Sequence, residues 1–273
     1  MKIIGTGDLH FASQRPKNRT DDYLTTQKMK MLHVLNHARS LSGNEEVWVA
    51  FPGDVFNSPD APYQLYGIWA SILNSYKTIK VFAVFGQHDL RYRTSRENTP
   101  LHALHQSGFI HILDDNRGQY VQADISIDVS IYGASFGDPI PEIHDEEDLN
   151  ILVVHEMIID EKLWDGQEEY KLASRILREH PYDLIISGDN HSFFTQSYKG
   201  RTLINCGSLM RSTIAQIDHK PKYFVYDIDS REYEIFDIPI EPIEEVMNIK
   251  GAQEEKEKDE KIEAFVEGLS EEV

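Results

Sequence analysis

A single cysteine, Cys206, stands in 273 residues. No internal disulfide framework can staple such a chain, so its stability must come from a packed core. Long apolar runs are missing as well, and none approaches the ~20 residues needed to span a bilayer. Met1–Asp8 lacks a signal peptide's basic start, long apolar stretch and small-residue cleavage site. These absences together point to a cytoplasmic protein without a membrane partner. Positive charge is scarce: 27 Lys and Arg face 46 Asp and Glu, a formal charge of −19. That balance excludes binding to a polyanion by diffuse attraction. A phosphate-bearing substrate would need a local inversion of potential, of the kind bound divalent cations produce. No repeat at a fixed period is visible, which excludes a solenoid.

What is present is an alternation of short apolar runs and longer amphipathic segments. Strands are expected at Lys2–Gly7, Val47–Phe51 and Ile79–Phe85, with helices at Thr20–Ser40 and Tyr63–Tyr76 between them. Such strand–loop–helix units imply a largely parallel sheet covered on both faces, with ligands bound beyond the carboxyl ends of its strands. The second half is richer in strands: Ile125–Tyr132, Ile151–Val154, Leu184–Ser187, Thr202–Asn205, Tyr223–Ile228 and Tyr233–Ile238. Near Pro239–Pro242 the composition changes. Residues 241–273 hold twelve Asp or Glu and four Lys. A domain over 1–240 and an acidic tail over 241–273 are therefore expected. Within the tail Ile262, Phe265, Val266 and Leu269 fall on one stripe of a short helix.

Five polar blocks each follow an apolar strand-like run. They are Asp8-Leu9-His10, Gly53-Asp54, Gly86-Gln87-His88-Asp89, His155, and Gly188-Asp189-Asn190-His191. The repeated grammar would bring carboxylates, imidazoles and an amide to one sheet edge. That donor set suits two divalent ions of the Mn²⁺, Fe²⁺ or Zn²⁺ kind. Glycines beside the donors permit tight turns and close backbone approach.

The set resembles the calcineurin-like metallophosphoesterases, whose signature runs D-x-H, GD, GNH-D/E, H, GH-x-H. All five blocks occur here in that order. The resemblance implies an α/β fold, a four-layer sandwich of two mixed sheets flanked by helices. It implies one metal on Asp8, His10 and His191, a second on Gln87, His155 and Asp189, and Asp54 as the bridge. It gives His88 the task of protonating the leaving oxygen, with Asp89 orienting it or closing its loop. Two positions depart from the pattern. Gln87 replaces the usual Asn, and Asp189 replaces the first His of the last block. The added carboxylate favours Mn²⁺ or Mg²⁺ over Zn²⁺ at that position.

Gly53-Asp54-Val55-Phe56-Asn57 and Gly86-Gln87-His88-Asp89 do not match the GD-x-x-D-R-G and GNHE of the family's protein phosphatases. Asp8-Leu9-His10-Phe11, Gly53-Asp54-Val55-Phe56 and Asn205–Arg211 look like the SbcD-type DNA repair exonucleases and their phage relatives. The expectation is a Mn²⁺-dependent DNA nuclease, exo- or endonucleolytic, that hydrolyses phosphodiesters by two-metal activation of water. Its alternatives are a phosphodiesterase or phosphatase for a nucleotide or other small molecule, and a non-catalytic subunit of the same fold. Arg91, Arg93 and Arg96, with Arg15, Lys17, Arg19 and Arg211, would form a basic rim for DNA phosphates. Tyr92 could stack on a base or pack within its loop. SbcD-type nucleases work with a coiled-coil SbcC-type ATPase, so the tail stripe is expected either to dock such a partner or to be a helix packed back on its own domain or a frayed tail. A homodimer remains open.

Overall fold

The computed structural model describes residues 1–43, 45–113, 119–121, 127–143, 149–162 and 166–251, with 119–121 described as backbone. The tail stripe at residues 262–269 and the beginning of the expected strand at Ile125 lie outside these. Two six-stranded sheets dominate. In the first, β1 (Lys2–Gly5), β2 (Val47–Phe51), β3 (Lys80–Ala83) and β4 (His111–Ile112) run parallel. The second opens with β5 (Gln119–Val121), which pairs antiparallel with β6 (Val129–Ala134). Next to β6 lies β7 (Leu149–His155), and a short pair follows, β8 (Ile158–Ile159) with β9 (Lys171–Leu172). β10 (Leu184–Gly188) runs parallel to β7, and β11 (Phe194–Tyr198) with β12 (Arg201–Asn205) completes that sheet. The hairpin of β13 (Lys222–Asp227) and β14 (Glu232–Asp237) returns to the first sheet and pairs antiparallel with β1. Both sheets are thus parallel at the centre; the first has an antiparallel edge on the β13–β14 side only, the second on both sides.

Alternation along the strands assigns the layers. Ile3, Trp48, Ala50 and Phe82 face the second sheet, where they meet Ile131, Val153, Leu184 and Ile186. Their neighbours Ile4, Val49, Phe51 and Val81 point the other way, toward α1 (Tyr23–Leu41), α2 (Tyr63–Ser75) and α3 (Pro100–Gln106). On the far side of the second sheet Leu152, Val154, Ile185 and Leu203 pack on α4 (Ala173–Glu179). Helices, sheet, sheet and helix make four layers. Strands buried on both faces cannot show a polar face, which is why they read as unbroken apolar runs.

α1 begins where Asp22 accepts a hydrogen bond from the Thr25 backbone N–H, two residues later than the apolar spacing suggests. Thr20 lies outside it, and its N–H bonds the Val246 carbonyl. This contact also holds the start of the acidic segment. Val246 and Met247, around the short α5 (Ile243–Val246), are 3% exposed, and Met247 bridges Arg19. Residues 243–248 therefore lie against the domain instead of leaving it. α3 and β11 escaped the sequence reading. α3 is only seven residues long, and β11 alternates buried and exposed positions on an outer edge. No helix among the described residues is long and apolar enough to cross a membrane.

Trp69 of α2 sits at the centre of the outer core, fully buried with its ring edge-on to Phe11, Phe51 and Phe56. Trp69→Ala leaves a large cavity there. Chemical denaturation is expected to show a loss of about 3–5 kcal/mol with an unchanged denaturant slope. A loss below about 1 kcal/mol would mean that this aromatic cluster does not organise the layer.

Candidate metal centre

The carboxyl ends of β1, β2 and β3 lie side by side because the strands are parallel and in register, and the same holds for β7 and β10. The two edges meet: the Asp189 N–H donates to the Asp8 carboxylate at 3.0 Å, and His155 Nδ1 lies 2.6 Å from the Pro52 carbonyl. The turns are tight. Among the described residues, eight non-glycine residues have φ in the left-handed region, and His10 (45°), Asp54 (47°) and Asp189 (76°) are three of them. Strain of this kind costs of order 1–3 kcal/mol per residue and gathers where side-chain placement matters more than stability. Gly53, at φ 102°, could carry no side chain, since a Cβ there would lie 2.3 Å from His155 Nδ1. A Cβ on Gly86 would lie 2.0 Å from Asp54 Oδ1.

Three groups of side-chain donors converge, each with its atoms within 4.8 Å of one another: Asp8, His10 and His191; His10, Asp54 and His88; Asp8, Asp54 and His155. Asp54 belongs to two of the groups. Its Oδ1 accepts the His88 N–H at 2.8 Å. Its buried Oδ2 has no hydrogen-bond partner and stands 3.6 Å from Nε2 of both His10 and His155. Burial, reinforced by the charges of Asp8 and Asp89, pushes the Asp54 carboxyl up to about 10. Burial drives the His10 imidazole down to about 3. Asp8 is fully buried too, yet the His191 hydrogen bond and the nearby imidazoles outweigh burial and hold it below the usual carboxylate range.

The hydrogen-bond chemistry of this cluster does not close by itself. His155 must spend its Nδ1–H on the Pro52 carbonyl, so the neutral ring turns a lone pair toward Gln87 Oε1, 2.6 Å away. Flipping the Gln87 amide would merely move the conflict, because its other end lies 2.8 Å from Asp189 Oδ1. His10 and His191 bring their Nε2 atoms to 3.0 Å. Lone pairs and carboxylate oxygens aimed at common points are what cations answer. The residues present therefore fit divalent ions: imidazole nitrogens, carboxylate oxygens and one amide oxygen. Gln87 keeps its oxygen beside His155, and Asp189 keeps a carboxylate beside Gln87 and 4.0 Å from His155. Both departures from the family pattern thus leave an oxygen donor in place.

The other expected residues divide. His88 is exposed, its ring edge-on to His10 with centroids 5.0 Å apart. It is close enough to His10 and Asp54 to ligate as well as to meet a substrate. Burial of its inner side lowers its pKa, and the neighbouring imidazoles and Arg93 add to this. Asp89 does not reach the reaction space. Its buried carboxylate accepts from the backbone N–H groups of Phe56, Val55 and Gly86, and so locks the second and third loops together. Burial raises it to about 6 despite these bonds. Of the two tasks expected of it, orienting His88 or closing its loop, these bonds give it the second, and it is a positioning residue.

Most of the expected basic rim is spoken for. Arg91 pairs with Asp60 at 2.7 Å, and Arg96 pairs with Asp138 and lies over the Phe85 ring. Arg211 is 5% exposed and donates to the Glu241 carbonyl. Arg19 is buried, forked onto Asp21 and bonded to the Arg211 carbonyl. Arg211 and Arg19 therefore clamp the chain near 241 and do not form a rim. Arg15 and Lys17 are exposed, and Arg15 donates to the Thr20 carbonyl. Arg93, exposed at the tip of a turn closed by Arg91 and Ser95, is the rim cation whose field reaches His88.

Two residues that the sequence blocks contain but give no role hold the last loop. Asn205 Nδ2 donates to the carbonyls of Asn190 and Ser192, and Asn190 donates to Ile158. An asparagine at the end of a buried strand, in Asn205-Cys206-Gly207-Ser208, was the available signal. Beside the cluster opens a cavity of about 530 Å³, lined by Asn57, His88, Ser192, Ser212, Thr213 and Gln216 among others.

The electrostatics set a pH dependence. The folded-state pKa of Asp54 lies above its unfolded value of 3.8, so its stabilising contribution is complete below that value and is lost as pH rises toward about 10. Metal-free protein should therefore lose thermal stability relative to metal-free Asp54→Asn as pH is raised from about 5 to about 9. Saturating divalent cation should raise the wild-type midpoint at high pH and do much less for the variant. Parallel curves for the two proteins would show that Asp54 carries no such penalty.

A family model, calcineurin-like phosphoesterase, matches residues 1–193, a span that contains all five blocks. No curated protein matches the chain significantly. Solved structures similar to it include an archaeal phosphodiesterase, with 16% identity over 87% of this chain and 99% of that one and a TM-score of 0.42. Another is phosphopantetheinyl hydrolase from Mycobacterium tuberculosis, with 13% identity, 89% and 97% coverage and a TM-score of 0.47. A third is a 5′-nucleotidase precursor from Thermus thermophilus, with 11% identity, 93% and 57% coverage and a TM-score of 0.48. With the family match spanning the whole ligand constellation, the chain belongs to the calcineurin-like phosphoesterases, a family of metal-dependent hydrolases.

Proposed function

We propose that this chain is a Mn²⁺-dependent phosphodiesterase acting on DNA, a nuclease of the SbcD type. The observation that carries the reading is the convergence of Asp8, His10, Asp54, His155 and His191, with the oxygens of Gln87 and Asp189, beside a cavity of mixed polar and apolar walls. Two divalent ions held there would polarise a phosphoryl oxygen and acidify a water. The chain's own residues do the rest. Asp54 fixes the His88 loop through the His88 N–H. His88 stands at the open side and offers a ring N–H to the departing oxygen. Asp89 keeps the Asp54 and His88 loops at fixed separation. Arg93 places one cation beside the departing strand. The sequence blocks that match SbcD-type nucleases but not protein phosphatases supply the choice of DNA.

A second reading, a nucleotide or other small phosphodiester as substrate, is favoured by one observation. Arg91, Arg96 and Arg211 are tied to Asp60, Asp138 and Glu241 and cannot grip a long backbone as they stand. The third reading, a non-catalytic subunit, would need Gln87 and Asp189 to have lost their donors, and both retain an oxygen at the cluster. Residues 241–273 are proposed to dock a coiled-coil ATPase of the SbcC type.

The deciding experiment incubates metal-stripped protein with labelled single- and double-stranded DNA and with a chromogenic small phosphodiester, adding back Mn²⁺, Mg²⁺ or Zn²⁺. Cleavage of DNA with Mn²⁺, lost in Asp54→Asn, is the expected result. Cleavage of the small ester alone would transfer the function to the second reading, and no hydrolysis with any ion to the third. His88→Ala should lower kcat by about 10²–10⁴-fold and still retain bound metal. Metal lost from that variant would instead make His88 a ligand.

A further inference from the structure

A second concavity, of about 750 Å³, lies between α2 and α3. Its walls include Pro59, Pro62 and Pro100, which stiffen them, together with Tyr63, Tyr66 and Arg91. Two separate loops join it to the metal centre. Asn57 lines the cavity beside the metals and Pro59 lines the groove. His88 lines the cavity and Arg91 lines the groove. Three residues of fully extended chain span at most about 10 Å. The groove therefore begins within about 10 Å of residues that line the cavity beside the metal centre, on the side of His88.

The chemistry of its lining is selective. Tyr63 is 95% exposed, the most exposed large hydrophobic residue among those described. An exposed tyrosine normally lies down on the surface or finds a cover, and neither is the case here. Asp60 and Glu97 also line the groove, and Asp60 neutralises Arg91. Phosphates are therefore unwelcome inside it, whereas flat, uncharged rings are not. Aromatic faces that stack on bases without reading them are how unpaired nucleic acid is held.

We infer that the α2–α3 groove is a base-binding subsite that seats unpaired nucleotides of the strand next to the scissile phosphodiester, stacking them on Tyr63. This rests on the nuclease reading and refines it: the substrate must be single-stranded, or frayed, where it passes His88. The phosphates stay on the Arg93 side and the bases turn toward the tyrosines.

The test compares wild type, Tyr63→Ala and Tyr63→Trp with Mn²⁺ on a single-stranded oligonucleotide and on the chromogenic small phosphodiester. At 95% exposure the Tyr63 side chain contributes no core packing, and equal melting midpoints would verify this. Tyr63→Ala should raise KM for the oligonucleotide by roughly 5- to 150-fold, the loss of one base stack. It should leave kinetics on the small ester unchanged, and Tyr63→Trp should restore oligonucleotide affinity. An unchanged oligonucleotide KM in Tyr63→Ala, or an equal loss on both substrates, would overturn the subsite while leaving the nuclease reading intact. A wild-type enzyme that cleaves the small ester but no oligonucleotide would overturn the nuclease reading and the subsite with it.

Discussion

Asp54 places a carboxylate oxygen in the protein interior where no hydrogen-bond donor answers it. The cost of that placement shapes the surroundings. Asp8 and Asp89 are buried nearby, and Asp189 adds a fourth carboxylate at the same junction. Left to themselves, such groups would protonate or pull apart. Imidazoles surround them, with Nε2 of His10 and His155 each 3.6 Å from Asp54 and that of His191 3.4 Å from Asp8. A cluster that is anionic, desolvated and rich in lone pairs is stable as a charged unit only with cations in it. The site exchanges stability in the metal-free protein for affinity toward metal.

That exchange requires rigid support, and the support comes from groups that never meet substrate. Asp89 accepts three backbone N–H bonds and fixes two loops to each other. Asn205 does the same for the last loop with two carbonyls. Gly53 and Gly86 let side chains pass where a Cβ would collide. The left-handed conformations of His10, Asp54 and Asp189 are retained because the parallel strands beneath them leave no alternative path. The four-layer architecture therefore serves mainly to align five strand ends at one edge.

Charge explains the contrast between the site and its rim. In a chain of −19, most arginines close to the site have an acid within reach, and Arg91 and Arg96 are held by Asp60 and Asp138. The acids that neutralise the rim also remove nonspecific attraction to polyanions. On the proposed reading, recognition would fall to the metals for phosphate and to aromatic surfaces for the remainder of the substrate. The exposed tyrosines beside the α2–α3 groove accord with that division.

The sequence by itself determined the layers and the donor set. Strands buried on both faces must be apolar throughout, so Val47–Phe51 and Leu184–Ser187 were legible from local composition. The donors were legible for a related reason: each sits within a few residues of its own strand end, and Asp8, His10, Asp54, His155 and His191 could be named from five short blocks. Tertiary structure decided whatever depends on a partner far along the chain. Whether an arginine is a rim or a clamp turns on Asp138 for Arg96 and on the Glu241 carbonyl for Arg211, and neither is marked by spacing. Whether Asp89 orients His88 or closes its loop could not be read from its place after His88; its carboxylate turns inward to the Val55 and Phe56 backbone N–H groups. The packing of Val246 and Met247 was hidden in an acidic stretch for the same reason. Local periodicity reports which face of an element is buried. It carries no information on which distant polar group meets another, because that is fixed only when the sheets pack and bring the loops together.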